Sequence, residues 1–285
     1  MTLGRYWVLS VSFFVSWVSV MVVGSKTSSR YSYLSQPKED IYLNTVLRSS
    51  VDACKRYLGD ISKVPKESAA SQKTSPCIME VEFLPMRKND ISVVETLDTN
   101  RYFTSLFAKA LRDYKPCVVF PDKNEMNLAI QTSFKDDKET RLSNIPKVLA
   151  ELQEDPAADI GGLVILVNPG FNVEEWIEAS HIPADSTRPM ICINGALDRL
   201  RNGYYPGLFY PKLTSVTKSF YSKADQTFFV QPVACAGDRF RGYITREYPG
   251  KFALLVKDSV GYAQIAEYDE LPKGMDMFNA VKRAS

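Results

Sequence analysis

The sequence predicts an α/β fold: a Rossmann-like three-layer core around a mostly parallel sheet, followed by a C-terminal antiparallel β-meander. Three observations predict it. Residues 163–167 (LVILV) and 190–193 (MICI) are short apolar runs with no polar face, which suits strands covered on both sides. Residues 173–179 lie between them with helical spacing, so the three segments read as a βαβ unit of a parallel sheet. From residue 227 onward, strand-like runs alternate with turn chemistry, Tyr248-Pro249-Gly250 and Ser259-Val260-Gly261, at hairpin spacing.

Taken in order, residues 40–58 carry Leu43, Val46, Leu47, Val51, Cys54 and Leu58 at helical spacing, with Gly59 at the position of a C-cap. Residues 60–75 are rich in Ser and Lys and read as a loop. Residues 77–84 (CIMEVEFL) form the first strand, with Glu80 and Glu82 on one face. Residues 87–97 read as an irregular connection, and Thr99 or Asn100 as the cap of a helix running to Tyr114. Residues 117–120 (CVVF) are a buried strand closed by Pro121-Asp122, and Asp122 or Asn124 caps a helix over 125–134. Residues 135–145 are charged and read as an exposed connection, and residues 146–153 as one more helix. After the βαβ unit come a helix over 211–220 and strands over 227–233, 241–247, 252–256 and 262–268. The tail, 273–285, carries only weak signals. With no internal repeat, residues 39–272 read as a single domain.

Composition narrows the function classes. Hydrophobic content of 45% and charged content of 24% describe an ordinary globular chain. A net charge of +2 without a basic block makes no case for nucleic acid. The five cysteines (Cys54, Cys77, Cys117, Cys192, Cys235) are scattered, and none sits in a C-x-x-C pair. They read as buried free thiols of a reducing compartment. With His181 the only histidine, no metal site is expected, and no cofactor. His181 reads as a loop or helix-end residue.

The N-terminus reads as an address. Arg5 precedes an uncharged apolar run over residues 7–23, and Val23-Gly24-Ser25 offers the small residues of a cleavage site. An uncleaved anchor is the competing reading, at the short edge of a membrane span. Residues 26–38 (KTSSRYSYLSQPK) contain no acid, which is transit-peptide composition. A signal followed by a transit-like segment, residues 1–38 in all, suits import into a plastid bounded by extra membranes; the alternative is the secretory pathway.

No Gly-rich phosphate loop and no G-x-S-x-G elbow occurs, so no catalytic residue is assigned. Ligands of open α/β sheets bind outside the carboxyl ends of the strands. The residues there are Asp122, Asn168 and Asn194, with Asp122 and Asn194 side by side if strand order permits. The competing reading makes them ordinary turn and cap residues. Arg239, Arg241 and Arg246 bracket the Tyr-Pro-Gly turn as an anion patch or a solvated face. Tyr204-Tyr205-Pro206-Gly207 and Phe209-Tyr210 form an aromatic segment that either meets a partner or packs on the sheet.

Several stretches carry a resemblance. Val119-Phe120-Pro121-Asp122, the run Val164 to Pro169 followed by Glu174-Glu175-Trp176, and Arg188-Pro189-Met190-Ile191-Cys192-Ile193-Asn194 each resemble strands of one family. The most distinctive is residues 242–252 (GYITREYPGKF), which is similar to that family's G-x-x-x-R-x-Y-P-G-x-W hairpin with Phe252 in place of Trp. The family is the cyanobacterial and plastid domain of unknown function that includes the low-photosystem-II-accumulation type of protein and is also found fused behind a chloroplast adenylate kinase. The likeness spans residues 80–272, and Arg246, Tyr248, Pro249 and Gly250 are its hairpin residues. It carries no established catalytic residue. It implies a plastid protein of the stroma or thylakoid surface, non-catalytic, that helps assemble or maintain photosystem II. The implied partners are photosynthetic complex subunits or assembly factors, met by peripheral thylakoid association, with no transmembrane helix once the leader is cleaved. The alternative is an enzyme or binding protein for a small phosphate- or nucleotide-like ligand at the strand ends.

Overall fold

The computed structural model describes Leu34 and residues 39–63, 76–84, 93–169, 172–235, 239–257 and 261–284. Nine strands are present among them: β1 (Ile78–Glu82), β2 (Pro116–Phe120), β3 (Arg141–Asn144), β4 (Leu163–Val167), β5 (Met190–Ile193), β6 (Asp225–Cys235), β7 (Arg239–Glu247), β8 (Phe252–Lys257) and β9 (Tyr262–Tyr268). They form one sheet in the order β3-β2-β4-β5-β1-β6-β7-β8-β9. From β3 to β6 the pairing is parallel; from β6 to β9 it is antiparallel. The predicted parallel core and meander are therefore one continuous sheet, with β6 belonging to both halves.

Eight α-helices cover it: α1 (Glu39–Ser62), α2 (Val93–Ala110), α3 (Lys123–Gln131), α4 (Ile145–Glu154), α5 (Val173–Ala179), α6 (Leu197–Arg201), α7 (Pro211–Ser219) and α8 (Gly274–Ala284). Tyr42, Val46 and Cys54 of α1, Phe103 and Phe107 of α2 and Ala129 of α3 share a buried cluster with Val81, Val118 and Ile165. Ile145 of α4, Trp176 of α5, Leu197 of α6 and Leu213 of α7 share another with Val119, Val164 and Cys192. Strand residues alternate in facing, so these clusters are the two sides of the sheet. Chain steps from β1 to β2 to β3 use the first side. The return steps, including β5 across β1 to β6, use the second. This division keeps every parallel crossover of one hand.

β4, β5, α5 and β9 match the sequence expectation residue for residue. Other boundaries moved for identifiable reasons. α1 does not stop at Gly59 but runs to Ser62, because Ile61 continues the apolar stripe one turn past Leu58. α2 starts at Val93, within the stretch expected to be irregular. Thr99 and Asn100 are therefore not its cap but buried positions inside it. The Thr99 hydroxyl donates back to the Glu95 carbonyl, which removes the reason for a cap there. The charged segment 135–145 contains the edge strand β3, where Arg141 pairs with Glu151 at 2.5 Å. A polar edge strand guards the sheet from pairing with other chains. The tail forms α8, and its Ala280 and Val281 are buried against Phe229, Phe252 and Leu254.

The expected leader lies outside the described residues except for Leu34, which is fully buried in the cluster that contains α1. Residues 64–75 of the expected loop also lie outside them. Among the described residues no helix is long and apolar enough to cross a membrane.

Candidate functional site

β5 passes between β4 and β1, so the carboxyl ends of these three strands open at one place. The chain leaves β1 toward α2 on one side of the sheet, and leaves β4 and β5 toward α5 and α6 on the other. Such a divergence opens a crevice at the strand ends. Here it is a cavity of about 240 Å³, lined by Glu82, Phe83, Thr96, Asn100, Asn168, Pro169, Trp176, Asn194, Ala196 and Arg199.

Turning out of β4 and β5 requires left-handed backbone. Asn168 (φ 44°), Asn194 (φ 47°) and Ala196 (φ 49°) all adopt it. Asn tolerates this region; Ala does so at a cost, and such residues cluster at functional sites. Between them, Gly195 is obligatory: a Cβ there would lie 2.3 Å from the Cys192 sulfur. The backbone is tied down as well. Asn168 N–H donates to the Ile193 carbonyl and Asn194 N–H to the Val81 carbonyl, both at 2.8 Å.

Asn194 is a clip. Its Oδ1 accepts from the Phe83 N–H (2.8 Å), and its Nδ2 donates to Asn100 Oδ1 (2.7 Å). It thereby fixes the end of β1 and the first turns of α2. This uses up the Asn100 oxygen and leaves Asn100 Nδ2 buried without a partner. Trp176 Nε1, also fully buried, has none either. Native proteins seldom bury N–H groups in this state, so each orphan calls for an explanation.

The carboxylates lie on the same side of the sheet as α6. Glu82 Oε2 accepts from the Ala196 N–H at 3.3 Å. Burial, then the charges of Glu80 and Asp198, push its carboxyl from 4.5 up to about 8. One residue pair deeper, Glu80 is fully buried and meets Arg201 at 2.5 Å. Burial raises its pKa too, against the pull of Arg201, and its Oε1 has no partner.

The structure thus brings Asn168 and Asn194 into one cleft and leaves Asp122 outside it. Asp122 follows β2, and β4 separates β2 from β5, so Asp122 and Asn194 are not side by side. The Asp122 carboxylate caps α3, accepting from Asn124 N–H (2.6 Å) and Glu125 N–H (2.9 Å). Asn100, Trp176 and Arg199 were missed from sequence. Glu80 and Glu82 left a signal: two acids inside a strand buried on both faces demand compensation.

The hairpin residues form a clasp. Arg246 donates to the Gly250 carbonyl (3.1 Å), the Gln226 carbonyl (3.2 Å) and Asp225 Oδ1 (2.6 Å), and its guanidinium lies over the Phe252 ring. Tyr248 follows through a cis bond to Pro249, donates to Asp60 of α1 and stacks edge-on against Tyr57. Gly250 N–H donates to the Glu247 carbonyl. The side chains of Arg239 and Arg241 lie outside the described residues.

The aromatic segment divides: Tyr205 packs edge-on against Trp176, whereas Tyr204, Leu208 and Phe209 are exposed. It borders a larger groove of about 690 Å³ between α6 and α7. No orphaned buried polar atom lines that groove, so size alone does not make it the better candidate. His181 is exposed just past the end of α5. Cys54, Cys77, Cys117 and Cys192 are free and buried, and burial raises the pKa of each thiol, which leaves them unreactive. No cluster of metal-ligating residues occurs among the described residues.

A family described as a domain of unknown function, DUF1995, matches residues 48–278. No curated protein and no solved structure matches the chain.

Proposed function

The chain belongs to the DUF1995 domain family, and we propose that it is a plastid auxiliary protein that binds a small polar molecule in the β1–β4–β5 cleft without catalysing its conversion. The observation that carries the binding role is the pair of orphaned donors, Asn100 Nδ2 and Trp176 Nε1, on two residues that line the cavity at the strand ends. The non-catalytic part rests on the residues around them. The described cleft residues include no serine, cysteine, lysine or histidine, and the nearby Cys192 thiol is held protonated.

Support for the plastid setting comes from the signal-plus-transit composition of residues 1–38 and from the hairpin's likeness to low-photosystem-II-accumulation proteins. By that likeness the role is assembly or maintenance of photosystem II at the thylakoid surface, and the exposed Tyr204, Leu208 and Phe209 are the surface offered to a protein partner. The alternative enzymatic reading would use Glu82 as the proton-transfer group, since it alone in the cleft titrates near neutrality.

Two measurements test this. A fluorescent reporter carrying residues 1–38 is expected in plastids, and one carrying residues 1–25 in the secretory route. Secretory signal from both would overturn the plastid part. Native mass spectrometry of the chain recovered from a plastid extract is expected to show one bound small molecule, depleted in Trp176→Phe. An unliganded mass for the wild-type chain would sink the binding part.

A further inference from the structure

The geometry points to a small oxyanion as the occupant of the β1–β4–β5 cleft, its oxygens accepting from Asn100 Nδ2 and Trp176 Nε1 with Arg199 at the mouth. This rests on the cleft-binding role proposed above and adds the chemistry of the ligand.

The argument follows from which hydrogen-bonding capacity is spent. Three acceptors of the cleft are engaged: Asn194 Oδ1 by Phe83 N–H, Asn100 Oδ1 by Asn194 Nδ2, and Glu82 Oε2 by Ala196 N–H. The buried polar side-chain atoms of the lining that lack a partner are both donors, on two side chains of 1% and 0% exposure. A buried N–H lacks only an acceptor, and oxygen of a carboxylate or of a tetrahedral oxyanion is the strongest one available. Arg199 is exposed at the rim and supplies the matching charge. The volume, about 240 Å³, equals about eight water volumes of about 30 Å³ each, which suits a short diacid or a small phosphate ester.

The cleft also carries its own control on anion entry. The charged groups facing Glu82 are Glu80 from β1 and Asp198 and Arg201 from α6, with the protonated Cys192 thiol on β5. Arg201 is already committed to Glu80. With Arg201 set against Glu80 and the rim Arg199 against Asp198, an anion meets a neutral wall while Glu82 keeps its proton and a net acidic one once it ionises. Affinity for an oxyanion falls as pH rises through the Glu82 titration, which a neutral ligand would not show.

The test uses the purified full chain with three probes: succinate, sulfate (which keeps the tetrahedral geometry of a phosphate without titrating), and succinamide as the neutral control. Calorimetric titration at pH 6.5 and 9.5 is expected to show at least one anion binding about tenfold more weakly at the higher pH. Glu82→Gln should abolish that difference. Trp176→Phe should weaken binding about tenfold at pH 6.5, the effect of one charge-assisted hydrogen bond. Asn100→Asp keeps the oxygen that holds Asn194, removes the free N–H and adds a charge, so it should abolish anion binding. Which anion binds more tightly separates a carboxylate ligand from a tetrahedral one. Binding of succinamide but of neither anion would overturn the oxyanion inference while leaving a ligand cleft in place. Anion binding indifferent to Trp176→Phe and to Glu82→Gln would place the anion elsewhere and overturn it too. Binding of no probe would also overturn it, and the native mass measurement then decides separately whether the cleft is occupied at all.

Discussion

The two halves of the sheet treat their polar groups in opposite ways. In the antiparallel half, Arg246 spends its guanidinium on a carboxylate, two carbonyls and an aromatic face, from its own hairpin and from the neighbouring β6. No side chain described there buries an unpartnered polar atom. In the parallel half, Glu80, Asn100 and Trp176 each keep a buried atom without a partner, and three non-glycine residues at the strand ends hold left-handed backbone. A satisfied network serves stability, whereas unsatisfied groups and strain persist where something else is gained from them. The hairpin that gives the sequence its most distinctive likeness is therefore structural. The cleft, which the sequence marked only through Asn168 and Asn194, is the site of the proposed binding.

This contrast is broken most directly at Gly242 in β7. A Cβ there would sit 1.9 Å from the Leu255 carbonyl oxygen, and backbone on the neighbouring strand has nowhere to go. Gly242→Ala should cost about 3 kcal/mol in urea denaturation, the upper range for overpacking. A loss below about 1 kcal/mol would mean that β7 and β8 separate freely and that the meander is not the rigid half.

Arg246→Ala comes next. It leaves Asp225 and two carbonyls without their donor and strips a cation from Phe252, so a loss of about 2 kcal/mol is expected. Unchanged stability would show that Tyr248 and its contacts to α1 hold the hairpin instead.

In the cleft the sign depends on pH. Between 4.5 and about 8 the folded chain keeps the Glu82 proton that the unfolded chain has lost. The unfolded state then binds fewer protons, so stability falls as pH rises across that window and levels off above it. Glu82→Gln removes the titration, and at pH 9 it should be more stable than wild type by about 1–2 kcal/mol, with no advantage at pH 4. A wild-type stability that is flat from pH 5 to 8 would refute the proton-holding role of Glu82.

How much of this was legible follows the same physics. β4 and β5 announce themselves because strands buried on both faces need unbroken apolar runs, and α5 because it lies between them. β3 could not be seen: Arg-Leu-Ser-Asn has no hydrophobic period, and it is a strand only because β2 offers it an edge. α6 has five residues and starts from a left-handed Ala196 with no side-chain cap, so no start signal exists. Asn168 and Asn194 were legible because Asn after a strand suits a left-handed exit. Asp122, chosen for its place at the end of β2, caps α3, the other role that the sequence offered for it. Asn100 looked like a cap, and Trp176 figured only in the likeness of its helix to the family. The meeting of Asn100 with Asn194 depends on strand order, which brings together residues 94 positions apart.

The smallest effect is the most telling, because one kind of change is made in both halves. Tyr248→Phe and Trp176→Phe each remove one polar donor from an aromatic side chain, the first with its hydroxyl and the second with the pyrrole part of its indole. Tyr248 loses a bond to Asp60 Oδ2, so that variant should be slightly less stable than wild type. Trp176 loses a donor that has no partner within the protein. Burying that donor costs about 1–3 kcal/mol, and the gap left by the smaller ring recovers only part of this. Trp176→Phe should therefore be more stable than wild type by about 0.5 kcal/mol in the absence of ligand, while binding more weakly. A gain in stability joined to a loss of binding marks a group kept for function. If thermal melts show both variants shifting downward, the donor has a structural partner, and the cleft is no different in kind from the meander.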